Sequence, residues 1–168
     1  MKTAKDYVEG LDWMSAIATA TLELDLGKEN DTKLTGEEKA TAYRYRGIAR
    51  CFVENKDGYK AAVEDISTAL CLNTQPQAVS NDEVYYYRAF AFYLDGNYEK
   101  ALADCDLIVG LNQYREELRG KIYLATCTYE KAAQAFKDAI QAWHTQNALP
   151  PPGLLENYRD ACKRMNSV

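Results

Sequence analysis

The chain has 168 residues, 47% hydrophobic and 27% charged, with a net charge of −5. Four prolines and nine glycines are too few for a turn-rich β-sandwich, and the apolar content is too high for a disordered chain. No Lys/Arg cluster offers the basic face that displaces counterions from nucleic acid, and an acidic chain is repelled by anionic membranes.

From the start, Met1 to Asp6 carries two lysines but no apolar stretch behind them, which reads against a signal peptide. No run of 18 apolar residues predicts a membrane span. Five widely spaced cysteines without a CxxC pair point to reduced thiols and a cytoplasmic protein. Asp6-Tyr7 is followed by Gly10, Met14 and Ile17 at helical offsets, so residues 4–24 read as a degenerate half-repeat or N-terminal cap helix. A loop is expected at about 25–36.

Thr35-Gly36-Glu37-Glu38 is a capping box that opens a helix. Residues 37–73 then form the first unit, with Arg46-Gly47-Ile48-Ala49 followed by Gly58-Tyr59-Lys60-Ala61-Ala62. Its turn is read as Glu54 to Gly58, and Asn73-Thr74-Gln75-Pro76-Gln77 as a linker. Ser80-Asn81-Asp82-Glu83 offers a second capping box. Residues 81–111 carry Arg88-Ala89-Phe90-Ala91 and Asn97-Tyr98-Glu99-Lys100-Ala101, with Gly110 read as the residue that ends the second helix and Asn112 as the next cap. Residues 112–145 carry Arg119-Gly120-Lys121-Ile122 and Thr128-Tyr129-Glu130-Lys131-Ala132. Leu149-Pro150-Pro151-Pro152-Gly153 stops the last helix near His144. Residues 154–165 are amphipathic and suit a terminal capping helix.

In each unit an apolar residue follows four past the alanine (Ile66, Cys105, Phe136) and another seven past it (Ala69, Ile108, Ala139), which keeps one helix face apolar. The small residues Gly47, Ala89 and Gly120 suit a tightly packed helical hairpin. These three copies resemble the tetratricopeptide repeat family. The spacing from small residue to tyrosine is the family's in the second and third units, and three residues longer in the first. The family's tryptophan is replaced by Tyr43, Tyr85 and Glu116, its proline after the second helix is missing, and the repeat spacing is uneven. The resemblance implies an all-α fold, a right-handed α-solenoid of about three hairpins in one domain. It also implies a concave face formed by the first helix of each pair.

On that face the resemblance places Arg44, Tyr45 and Ile48, and after them Cys51 and Phe52. The second unit contributes Glu83, Tyr86, Tyr87, Phe90, Tyr93 and Leu94, and the third Tyr114, Glu117, Leu118, Lys121 and Leu124. Aromatics run almost all round the helix of the middle unit, more than one core stripe requires, although any of these rings could pack a neighbouring hairpin. Tyr85 and Phe92 are expected to pack inward. The site expected for a protein or peptide partner is Arg44, Tyr45, Ile48, Glu83, Tyr86, Tyr87, Phe90, Tyr93, Glu117 and Lys121. The basic clamp by which some family members grip a C-terminal carboxylate would fall on Arg44, Ile48, Tyr87, Tyr114 and Leu118, of which one is basic.

No chemistry is expected: no catalytic residues, no metal, no cofactor. The single histidine, His144, stands near a helix end, where the helix dipole accounts for it. Glu37-Glu38 and Glu116-Glu117 read as acids at helix starts, and Asp104 and Asp106 as a solvated face. Asn30-Asp31-Thr32 lacks the glycine and closing glutamate of a calcium loop. The reading is an adaptor or scaffold binding a peptide or helical segment of a partner. The alternatives are a small chaperone for a secreted substrate, of the type III secretion kind and with a homodimer possible through the N-terminal helix, or a regulatory module of a larger protein.

Overall fold

The structure, a computed structural model, describes residues 2–29, 34–53, 56–72 and 81–167, with the backbone alone at 27–29. Among these residues every regular element is an α-helix: α1 (Ala4–Glu9), α2 (Trp13–Glu29), α3 (Gly36–Phe52), α4 (Lys56–Leu72), α5 (Asp82–Leu94), α6 (Tyr98–Asp106), α7 (Asn112–Ala125), α8 (Tyr129–Thr145) and α9 (Pro152–Met165). None is long and apolar enough to cross a membrane. Contacts gather in two compact units. Unit 1 holds α1–α4 and the end of α5 from Phe90; unit 2 holds α5 through Ala89 and α6–α9.

Unit 1 begins with two helices where one was expected over 4–24. Thr3 and Asp6 form a capping box on α1. The chain then breaks at Leu11, whose φ of 60° is left-handed, and the Asp12 N–H reaches back to the Tyr7 carbonyl at 2.9 Å. Asp12 in turn caps α2, accepting from the Ser15 N–H at 3.1 Å. Helix α2 runs on to Glu29, into the expected loop. Asn30 to Thr32 lie outside the described residues, as do the linker at 73–77 and Ser80.

Helices α3 and α4 form an antiparallel hairpin. The Thr35 box with Glu38 opens α3 as read from the sequence, holding the Glu38 carboxyl below its ordinary value through hydrogen bonds from the Thr35 N–H and hydroxyl. The expected turn is shorter: Lys56, Asp57 and Gly58 already belong to α4, while Glu54 and Asn55 lie outside the described residues. Gly47 meets α4 so closely that a Cβ there would stand 2.6 Å from Ile66 Cγ1. Beside it, buried Asp65 accepts a fork from Arg46, with Nε at 2.8 Å and Nη2 at 2.7 Å, and a third bond from Arg50.

Unit 2 repeats this design with changes. Arg88 forks onto Asp104 with both nitrogens at 2.7 Å. Asp104 is buried, which corrects the solvated reading; Asp106 is exposed and paired with Arg119. The acid stands three residues past the repeat alanine in both hairpins (Ala62 and Asp65, Ala101 and Asp104). The third hairpin has Ala135 there, and Arg119 turns instead to Glu116 and Asp106. Gly120 faces Phe136, whose ring would lie 2.5 Å from an added Cβ. So glycine stands where the opposing residue is Ile66 or Phe136, and alanine where the matching residue is the smaller Cys105.

Helix α6 ends at Asp106, four residues before the expected Gly110 stop. The Asp82 carboxylate decides this by accepting the N–H groups of Val109, at 3.1 Å, and Gly110. Asn112 is the first residue of α7 and not its cap; Leu111 holds that place without a side-chain bond. Glu116 and Glu117 therefore lie a turn inside α7, paired with Arg115 and Arg119 and with Lys121 respectively. Pro152 opens α9, two residues earlier than read, at a position that needs no N–H. Leu154 and Ala161 of α9 close over Ala132, Phe136 and Ala139 of α8.

One turn recurs at helix ends. After α5, α7 and α8 the chain takes a left-handed residue (Gly96, Cys127, Asn147) and sends the next N–H back six residues inclusive, to Phe92, Tyr123 and Trp143 at 2.8, 2.8 and 3.1 Å. The end of α1 at Leu11 is the same motif.

Candidate functional site

The residues read as a partner site fall into the two units. In unit 1 a row of rings is built from three helices. Trp13 of α2 stacks on Phe52 of α3 at 4.4 Å and 16°, Phe52 meets Phe90 at 5.9 Å, and Phe90 stacks on Tyr93 at 6.3 Å. Arg44 lies over the Tyr45 ring, 5.3 Å from its centre. Tyr45 also lines a cavity of about 510 Å³ together with Ala4, Glu23, Glu37, Glu38 and Ala42. Burial pushes the Glu23 carboxyl above its ordinary value, and the Ala4 N–H partly offsets this. Ile48 is buried in the core, as is Cys51, so neither offers surface to a partner.

In unit 2 a second row runs across three helices. Tyr86 of α5 meets Tyr87 edge-on at 5.3 Å and Tyr114 of α7 at 5.9 Å, and Tyr114 meets Trp143 of α8 at 5.5 Å and 76°. Tyr114 is exposed, at 38%. Tyr86 is the deep ring: burial first, and the nearby Glu117 carboxylate second, raise its phenol well above the ordinary value. Glu117 is bound to Lys121 at 2.7 Å on the same helix. Glu83 is exposed on α5. The Trp143 indole N–H is buried and has no hydrogen-bond acceptor among the described residues.

Unit 1 thus gathers Arg44, Tyr45, Phe90 and Tyr93, and unit 2 gathers Glu83, Tyr86, Tyr87, Glu117 and Lys121. The expected partner site omits Trp13, Phe52, Tyr114 and Trp143, all of them members of a row. Trp13 and Trp143 escaped because they stand on α2 and α8, outside the helices that the repeat pattern assigns to a binding face. The signal available was that they are the chain's two tryptophans. Of the clamp positions, Ile48 and Leu118 are buried. Among the described residues no three His, Cys, Asp or Glu side chains are grouped to hold a metal ion. Compared with protein-family models, curated proteins and solved structures, the chain matches none.

Proposed function

We propose that this chain is a tetratricopeptide-type helical-repeat module, a right-handed solenoid that binds a peptide or helical segment of another protein. It acts as an adaptor or scaffold and not by catalysis. The observation that carries the reading is the aromatic row Tyr87, Tyr86, Tyr114 and Trp143. The α7–α8 hairpin beneath it is closed by Leu118, Ile122, Ala132, Phe136 and Ala139, all buried; Trp143 packs on that core and Tyr86 is deep, so half-buried Tyr87 and exposed Tyr114 are the rings of the row that a partner would meet. Tyrosine and tryptophan give large contact area at little entropic cost and keep a polar tip, as binding hot spots do. The Glu117–Lys121 pair beside the row would set register. The close approach of Gly47 to Ile66 and of Gly120 to Phe136, and the matched Arg46–Asp65 and Arg88–Asp104 forks of the first two hairpins, support the repeat reading, and five free thiols suit a reducing cytoplasm.

The test compares immobilised wild type with a Tyr87→Ala/Tyr114→Ala variant for proteins retained from native lysate, identified by mass spectrometry, with melting temperatures taken alongside. Tyr86 is avoided because its ring is deep. A protein held by wild type and lost by a variant of nearly unchanged melting temperature supports the row as the site. Equal retention by both refutes it.

A further inference from the structure

Between α8 and α9 the chain runs Ala148-Leu149-Pro150-Pro151-Pro152-Gly153, without a charge. Neither helix requires all of this run. The left-handed turn at Asn147, with the Ala148 N–H bound to the Trp143 carbonyl at 3.1 Å, has already ended α8. Helix α9 is opened by Pro152 alone, its first residue. Pro151 stands at the cap position, where serine, threonine, asparagine or aspartate would add a side-chain bond, and makes none. Its carbonyl accepts from the Leu154 N–H at 3.0 Å, which any residue there could do.

The run is also held in one conformation and bare. Leu149, Pro150 and Pro151 each precede a proline, which pushes them out of the helical region towards extended backbone. Proline rings fix φ, and Pro151 sits at φ −56° and ψ 143°, close to the left-handed polyproline II helix. Leu149 is 87% exposed, more than any other large apolar side chain among the described residues. Pro151 and Pro152 are exposed as well, and Pro150 is half-buried. At three residues per turn, Leu149 and Pro152 share one edge.

We propose that Leu149 to Pro152 is a ligand segment, read in polyproline II form by a partner domain whose groove is lined with aromatic rings. The run itself selects this partner over the other ways in which proteins grip a peptide. Three successive residues without an N–H cannot add a strand to a sheet edge. The same three residues cannot continue as an amphipathic helix in an apolar groove. The run carries no charge for an acidic or basic groove to read. It offers proline and leucine side chains that pack on aromatic rings. It also offers carbonyls, unbonded within a polyproline II helix, that accept from a tyrosine hydroxyl or an indole N–H. Helices at both ends and fixed φ within leave the segment little conformational freedom to lose on binding. The segment lies in unit 2 and enters a partner's groove. It uses none of the rings from Tyr87 to Trp143, so it stands or falls independently of the aromatic row.

The test is surface plasmon resonance of the full chain, at up to about 1 mM, over immobilised SH3 and WW domains, whose grooves carry such rings. Wild type should bind at least one of them. Leu149→Ser/Pro151→Ala should weaken that binding by about tenfold or more, with circular dichroism and melting temperature nearly unchanged. Leu149→Ser alone, at a bare position, should weaken it in the same direction. Val109→Ser, at an apolar residue 78% exposed on another loop, should bind as wild type does. A wild type that binds no domain of either kind overturns the proposal. So does binding that survives the double change, or that Val109→Ser lowers equally, since the contact is then not made by the prolines.

Discussion

Gly120→Ala is a sharp test of the packing argument. Alanine normally stabilises a helix interior by about 1 kcal/mol over glycine. Here the new Cβ would stand 2.5 Å from Phe136 Cδ1 and Cε1 and 2.8 Å from Cζ, about 1 Å inside the optimal carbon–carbon distance. The ring cannot retreat, because it is fully buried and packed among Ala132, Ala133, Ala139, Leu154 and Ala161. Overpacking of this kind costs roughly 1–3 kcal/mol, and the contact is severe enough for the upper half of that range. The net loss should be about 1–2 kcal/mol, or about 2–8 °C in Tm for a chain of this size. Thermal unfolding followed by circular dichroism reads it. Gly153→Ala is the control: an added Cβ there meets nothing within 4 Å, and the change should be neutral or stabilise by up to about 1 kcal/mol. Adding Phe136→Leu to Gly120→Ala should cost less than the sum of the single changes, since each relieves the other. A Gly120→Ala protein that melts at or above wild type would refute the reasoning.

Asp65→Ala should destabilise by about 3 kcal/mol in urea unfolding, because it strands Arg46 and Arg50 in a partly buried site; the same change at exposed Glu64 should be within about 0.5 kcal/mol. Burial pushes the Cys51 and Cys105 thiols up to about 12. A thiol reagent at mildly alkaline pH should therefore modify exposed Cys71 and Cys127 quickly and reach Cys51 and Cys105 only on unfolding. The Glu23 carboxyl is raised in the folded protein, so its ionisation opposes folding: the cost is absent below the ordinary carboxylate pKa and accumulates as pH rises through the raised one. Glu23→Gln, which keeps an acceptor for the Ala4 N–H, should raise the neutral-pH Tm slightly and leave the acid Tm unchanged.

The hairpin pattern was legible in the sequence because helix periodicity is local. Alanine, then an apolar residue four and seven positions on, marks one face of one helix whatever packs against it. The caps at Thr35 and the stops before Pro152 are local for the same reason. What failed was decided by groups distant in sequence. Gly110 does not end α6, because Asp82, 28 residues away, takes its N–H. Asp104 is buried because Arg88 reaches it from another helix, and no composition or spacing within α6 announces that partner. Ile48 sits in the stripe that reads as binding surface, yet the fold places it in the core. The rows of rings are the same case. Sequence located the aromatic excess on α5, but which rings meet depends on how α2, α7 and α8 are laid beside their neighbours. Side-chain direction within a helix follows from its own periodicity; the choice of neighbour comes only from packing of the whole chain.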